Sequence, residues 1–334
     1  SKITKDLELH HAFDATEQFL IDNAVACEGY ALDFSDKINN SEGAQINCSE
    51  SLFSYANSNG FVGGFPSSRY SLSCSVLGGV GSSMQRDGSY SSVRAFADLK
   101  STKEVGEDAA SRTLMRLNPQ KIDTGIYPVI FEAPIATSII SALVSAVSGG
   151  NLYRENSFLM NSINTQVASA AITIEEDPFL LRGNASTYFD DEGVAVNKRT
   201  VVDKGVMLGY FLSSYSARRL NMETTGNAGG SHNLIIKDSG VSFTELVKKM
   251  GRGLIVTELL GHGLNMVTGD YSRGAAGLWV ENGEVQFAVE EITIASNIKD
   301  MLLNIEAVAT DRYTNSSKYT GSILIQGMTV GSNK

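Results

Sequence analysis

The chain has 334 residues, 42% of them hydrophobic and 19% charged, with 32 Gly against only 5 Pro and a formal net charge of −10. That balance excludes a disordered protein, and the acidic excess without a Lys/Arg-rich segment excludes direct binding to a nucleic-acid backbone, which phosphate neutralisation drives. Cys27, Cys48 and Cys74 are far apart with no CxxC, so neither a disulfide framework nor a thiolate zinc site is indicated, and a cytoplasmic location is expected.

Asp14 with Glu17 has capping-box spacing, and Ala15, Phe19, Ala24, Val25 and Cys27 predict a helical face that ends near Gly29. From about Gly43 to Val93 short alternating runs are punctuated by Asn59-Gly60, Gly63-Gly64, Gly78-Gly79 and Asp87-Gly88. These are hairpin and turn signals, so an antiparallel β unit is expected, with Cys74 on its inner face. A second helix over about Thr102 to Arg116 carries Val105, Ala109, Leu114 and Met115 as its apolar stripe. Residues 1–120 are therefore read as one region and 121–334 as another.

The second region opens with a strand at Tyr127–Phe131. Next comes a run from Ala133 to Asn151 without one charged side chain or histidine. It nears the length of a membrane span, but its serines, Pro134 and closing glycines favour a soluble buried helix, with Ile135, Ile139, Ala142, Leu143, Ala146 and Val147 inward. The Gly149-Gly150 pair is its expected stop. Further strands are expected at Ala170–Glu175, Val194–Val202 and Val206–Phe211. A capping box at Ser242 and Glu245 starts another helix, an Asn282-Gly283 hairpin joins two strands, and a helix covers about Asn297 to Asn304. The interleaving lacks a βαβ period, so the expected class is α+β, with mixed or antiparallel sheets and packed helices.

Three segments could carry chemistry. Glu258 and His262 are four apart, which on a helix would place them on one face like half of a zinc hydrolase motif, with His232 as a further ligand; the alternative makes His262 a turn residue and Glu258 a solvated one. The stretch holding Gly226, Asn227, Gly229, Gly230, His232 and Asn233 could offer backbone N–H groups to a peptide, or could simply be a turn between strands. Asp270 and Arg273 could contact substrate or pair with one another. No nucleotide fingerprint and no GxSxG elbow is present.

The blocks TGNAGGSHN (225–233), TELLGHGLN (257–265), TGDYSRGAAGLWVENGEVQ (268–286) and EITIASNIKDML (291–302) resemble the C-terminal portion of the PmbA (TldE) branch of the TldD/PmbA family. Residues 41–74 resemble the family's middle region. The family's N-terminal domain is expected to be missing, in keeping with a chain that begins at Ser1 without Met. The resemblance implies a cytoplasmic heterodimer acting as a zinc metalloprotease on peptides or unfolded proteins, with zinc held by a TldD-type partner through HExxxH and a distant Cys. It implies that the matching hexad here runs from Ser141 to Ala146, so that Ser141, Ala142 and Ala146 stand where His, Glu and His would be, and Thr320 stands at the Cys. This chain would then bind no cofactor and no metal, and would have no catalytic residue of its own. It would act with a TldD-type catalytic subunit on a peptide substrate, and a homodimer in isolation is left open. The alternatives are an independent metal-dependent hydrolase using Glu258 and His262, or a non-enzymatic protein that interacts with DNA gyrase.

Overall fold

A computed structural model describes residues 5–332. Helix α1 (Glu17–Leu32) is followed by β1 (Ile38–Ala56), β2 (Val62–Gly78) and β3 (Gln85–Val93), an antiparallel sheet in that spatial order, and by α2 (Thr102–Met115). The α2 N-terminus is a complete capping box, with the Ser101 hydroxyl accepting from Glu104 N and the Glu104 carboxylate accepting from Ser101 N. Both helices cover one face of the sheet, and Cys27, Ala31, Leu72, Cys74, Val76, Val105 and Ala109 form the core between them.

Helix α1 departs from the sequence expectation. Thr16, not Asp14, caps it, by accepting from Phe19 N, and the helix runs past Gly29. Of the expected inward face only Cys27 is buried; Phe19 and Val25 are 41% and 62% exposed. The buried pair is Cys27 and Ala31, one turn apart, because small side chains are what the close crossing with α2 admits. Gly106 of α2 lies at that crossing, where an added Cβ would sit 2.3 Å from the Cys27 carbonyl oxygen. The Asn59-Gly60 signal does mark the β1–β2 turn, whereas Gly63-Gly64 and Asp87-Gly88 lie inside β2 and β3, held extended by cross-strand pairing.

The rest of the chain supplies β4 (Gly125–Phe131), α3 (Ala133–Ala146), α4 (Gly149–Tyr153), β5 (Ile174–Asp177), β6 (Arg199–Asp203), β7 (Val206–Met207), α5 (Ser214–Leu220) and β8 (Asn233–Ile236). After these come α6 (Phe243–Met250), β9 (Gly253–Leu260), β10 (Asp270–Glu281), β11 (Glu284–Asn297), α7 (Ile298–Leu303), β12 (Ile305–Val308), β13 (Lys318–Tyr319) and β14 (Ile323–Ser332). The larger sheet has the order β11-β10-β9-β4-β14-β12, and a further pairing of β11 with β14 closes five of these strands into a ring. Only β4 and β9 run parallel within it. A second sheet has the order β13-β8-β5-β6-β7. The fold is α+β with mixed and antiparallel sheets.

Helix α3 turns Ala136, Ile139, Ile140, Leu143 and Ala146 into the main core, and α6 covers the opposite face of the larger sheet with Leu246, Val247 and Met250. No helix among the described residues is long and apolar enough to cross a membrane. The glycine pair does not stop α3. Instead the chain leaves the helix at Val147, because Val147 O accepts from Phe211 N (3.1 Å) and Gly149 N donates to Phe211 O (2.8 Å); Gly149 then opens α4.

A polar seam joins the first sheet and its helices to the rest. Arg94 donates to the carbonyls of Gly183 (3.3 Å) and Asn184 (3.2 Å), and Arg69 donates to Asn184 O (3.1 Å) and to the Asn184 side chain. Burial, with the neighbouring Arg69 charge, pushes the Arg94 pKa down to about 10, so it is still a cation at neutral pH. Arg112 clamps Glu132 with two hydrogen bonds (2.7 and 3.1 Å), Arg116 pairs with Glu258, and Gln85 donates to Glu290 (2.7 Å). Exposed Arg182 runs the other way, to Asp98 (2.8 Å).

The Gly106 contact generates a prediction. Gly106→Ala gains about 0.5–1 kcal/mol in helix propensity, but the approach to Cys27 O costs about 1–3 kcal/mol through displaced backbone. The clash outweighs the propensity gain, so the urea midpoint of the variant falls; a rise would show that the helix crossing relaxes freely.

Candidate functional site

The helix that carries Ser141, Ala142 and Ala146 and the segment that carries Thr320 lie side by side: β13 packs on α3, and Ala133 N donates to Ser322 Oγ (3.0 Å). Ser141 turns its hydroxyl onto its own helix, donating to Thr137 O (2.7 Å). Ala146 and Thr320 are fully buried and Ala142 nearly so, and Thr320 Oγ1 donates to Gly321 O (3.0 Å). Zinc requires imidazole, thiolate or carboxylate donors, and two methyl groups and two hydroxyls do not supply them. This donor set does not fit the metal. Among the described residues no three His, Cys, Asp or Glu side chains converge as a metal-binding group.

The glycine-rich stretch wraps around a buried charge. Glu176 of β5 is 1% exposed, and its Oε1 accepts from Asn227 Nδ2 (2.7 Å), His232 N (2.9 Å) and His232 Nδ1 (2.9 Å). Its Oε2 accepts from Arg199 Nε (2.7 Å), while Arg199 Nη2 donates to Asn227 Oδ1 (3.0 Å). A carboxylate only accepts, so His232 carries its hydrogen on Nδ1. Burial alone would raise the pKa of Glu176, but the His232 hydrogen bonds and the Arg199 charge outweigh it and hold the carboxyl at about 2. Asn233 is also spent inward, donating to Asp177 O and Ser186 Oγ (both 2.8 Å). Gly226 is buried, and Gly229 and Gly230 are the exposed part of the stretch.

The other pairs separate. Residues 253–260 form a strand, so Glu258 and His262 share no helical face; Glu258 pairs with Arg116 and His262 lies exposed beyond the strand end. The spacing that suggested half a zinc motif has no helix to act through. Asp270 and Arg273 are three apart on β10 and therefore point to opposite faces, which rules out the ion pair. Asp270 accepts from Thr268 Oγ1 (2.6 Å), and Arg273 Nη2 donates to Gly261 O (2.6 Å).

Sequence reasoning missed Glu176 and Arg199. A signal existed: Ile172, Ile174 and Glu176 are two apart, and continuing the inward face of the first two places the carboxylate in the core. It also missed a cleft of about 410 Å³ between α2, β3 and the start of α3, lined by Tyr90, Lys100, Arg112, Glu132 and Arg312. A shallower groove of about 440 Å³ over the first sheet shares Gly88, Ser89 and Tyr90 with it.

The depressed Glu176 pKa makes stability depend on pH. With a folded pKa of about 2 against an ordinary value of 4.5, its contribution is complete above pH 4.5 and is lost as pH falls towards 2. That drop corresponds to about 3 kcal/mol. Glu176→Gln should therefore destabilise the chain by about 3 kcal/mol at pH 7, with the gap to the parent narrowing below pH 4.5 in urea titrations. A gap that stays constant down to pH 2 would contradict this assignment.

Comparison with known proteins matches this geometry to a family. Residues 10–117 match the sequence model of the PmbA/TldA metallopeptidase central domain, and residues 124–332 match that of the C-terminal domain. The chain is 46% identical over 329 residues to the metalloprotease PmbA homolog of Haemophilus influenzae, covering 98% of this chain and 73% of that protein. It is 45% identical over 325 residues to metalloprotease PmbA of Escherichia coli O157:H7, covering 97% and 72%. A proposed DNA gyrase modulator from Bacteroides thetaiotaomicron superposes with a TM-score of 0.93 at 29% identity, over 99% of this chain and 75% of the other. TldE from Thermococcus kodakarensis, at 22% identity, shares the fold with a TM-score of 0.82 over 96% and 75%. With both of its halves matched and nearly its whole length aligned to PmbA proteins, the chain belongs to the PmbA/TldA metallopeptidase family, in its PmbA branch.

Proposed function

We propose that this chain is the PmbA/TldE-type subunit of a two-subunit TldD/TldE-type metallopeptidase that processes peptides or unfolded protein segments, and that it brings no metal ligand of its own. The observation that carries the reading is the donor set on α3 and after β13. Ser141, Ala142, Ala146 and Thr320 replace metal-binding and base chemistry with methyl groups and hydroxyls, three of the four positions being closed to solvent. Zinc would then be held by a TldD-type subunit, where it supplies the Lewis acid and activated water of peptide hydrolysis. This chain's own residues would shape and support the assembly: α3 as a packed core element, and the exposed Gly229 and Gly230 and the start of β10, with Asp270 and Arg273 on its opposite faces, as contacts for an extended peptide or for the partner. Three free cysteines, two of them buried, fit a cytoplasmic setting. An independent hydrolase built on Glu258 and His262 lacks support, because these residues lie on a strand and a loop.

The test is metal analysis with a peptide-cleavage assay, on the chain alone and mixed with a TldD-type subunit. The chain alone should carry substoichiometric zinc and cleave nothing, and cleavage should appear only with the partner. Stoichiometric zinc with peptidase activity in the isolated chain would overturn the reading. His262→Ala should leave the activity of the reconstituted pair close to that of the parent.

A further inference from the structure

Strand β10 carries two buried polar atoms without a partner. Among the described residues neither the Tyr271 hydroxyl nor Arg273 Nε has a hydrogen-bond partner. Tyr271 is only 5% exposed. The two residues are two apart on the strand and so share a face, opposite Ser296 and Ile294 of β11. Arg273 also makes no ion pair among the described residues, in a chain whose 37 acidic residues outnumber its 27 Lys and Arg. A protein so rich in carboxylates leaves this guanidinium without one.

Residues 261–269, the connection between β9 and β10, pair back alongside the two residues. Ser272 N donates to Gly263 O (2.7 Å), Asn265 N donates to Asp270 O (2.8 Å), and Leu264 bridges to Tyr271. Arg273 Nη2 is anchored by Gly261 O, which fixes the guanidinium while Nε stays unused. Burial pushes the Tyr271 phenol up to about 12, against the charge and the donor groups of the Arg273 side chain that faces it, so at neutral pH the hydroxyl keeps its proton. Two donors, one charged, thus lie together beside one loop. Unsatisfied buried donors work against folding, and a complement that satisfies both at once is an anionic oxygen pair.

We infer that Tyr271 and Arg273 form a receptor for a carboxylate, presented by the acidic side chain or the free C-terminus of a peptide that reaches β10 beside the 261–269 loop. Phenol O–H and guanidinium N–H donate to the carboxylate oxygens, and the planar fork of Arg suits them better than the point charge of Lys. The choice of a peptide as the bearer of the carboxylate rests on the proposed function, but the site needs neither metal nor partner subunit, so its failure would leave the peptidase reading standing.

The test uses the isolated chain and calorimetric titration with three probes: tetra-alanine with a free C-terminus, the same peptide amidated, and an acetylated, amidated tetrapeptide with one Glu. At least one carboxylate-bearing probe should bind about tenfold or more tightly than the amidated tetra-alanine, which has no carboxylate, and which one does identifies the source of the carboxylate. Arg273→Gln should remove that preference. Tyr271→Phe, nearly isosteric, should weaken binding without lowering the melting temperature, because its hydroxyl satisfies nothing in the free chain. Equal affinity for all three probes, no binding by any, or an undiminished preference in Arg273→Gln would overturn the proposal. So would a lowered melting temperature in Tyr271→Phe, which would make the hydroxyl a structural group.

Discussion

A negative charge at the centre of the second sheet constrains what surrounds it. Glu176 cannot be buried alone, since removing an ion from water costs several kcal/mol unless its lone pairs are filled. Four donors fill them, from two pieces of chain: Arg199 of β6, and Asn227 and His232 of the glycine-rich stretch, which leads into β8. The glycines there are what let the chain bend tightly enough to present two side chains and a backbone N–H to one carboxylate.

The local elements were largely legible. The capping box at Ser242 and Glu245, the Asn282-Gly283 turn and the helix over Thr102–Met115 follow from signals within a few residues, and they stand where those signals place them. The closure of β11 onto β14 and the parallel pairing of β4 with β9 join residues far apart in the chain, and no local pattern encodes them. The end of α3 was missed for the same reason: a bridge to Phe211, outside the helix, decides it. The candidate site divides similarly. Its residue types were readable on α3, whereas the inward turn of Asn227 and Asn233 depends on carboxylate and hydroxyl partners about fifty residues distant. Asp270 and Arg273 were misjudged as a pair because a loop was assumed where a strand sends odd spacings to opposite faces.

Helix α3 is packed as a core element, with Ala136, Ile139, Ile140, Leu143 and Ala146 buried. Small residues on a helix allow close approach of neighbouring backbone, and Ala142 and Ala146 serve that purpose fully. Such a helix is free to be optimised as core, a freedom that a ligand-bearing helix does not have.

The seam between the first sheet and the rest has a direction. Arg69, Arg94, Arg112, Arg116 and Gln85 all lie on the first side and reach carbonyls or carboxylates on the second, with exposed Arg182 as the counter-current. The first side thus supplies most of the charged donors and the second most of the acceptors, so the two are complementary rather than alike. That asymmetry makes the seam a lock cut for one key, since its cations and its acceptors come from different stretches of the same chain.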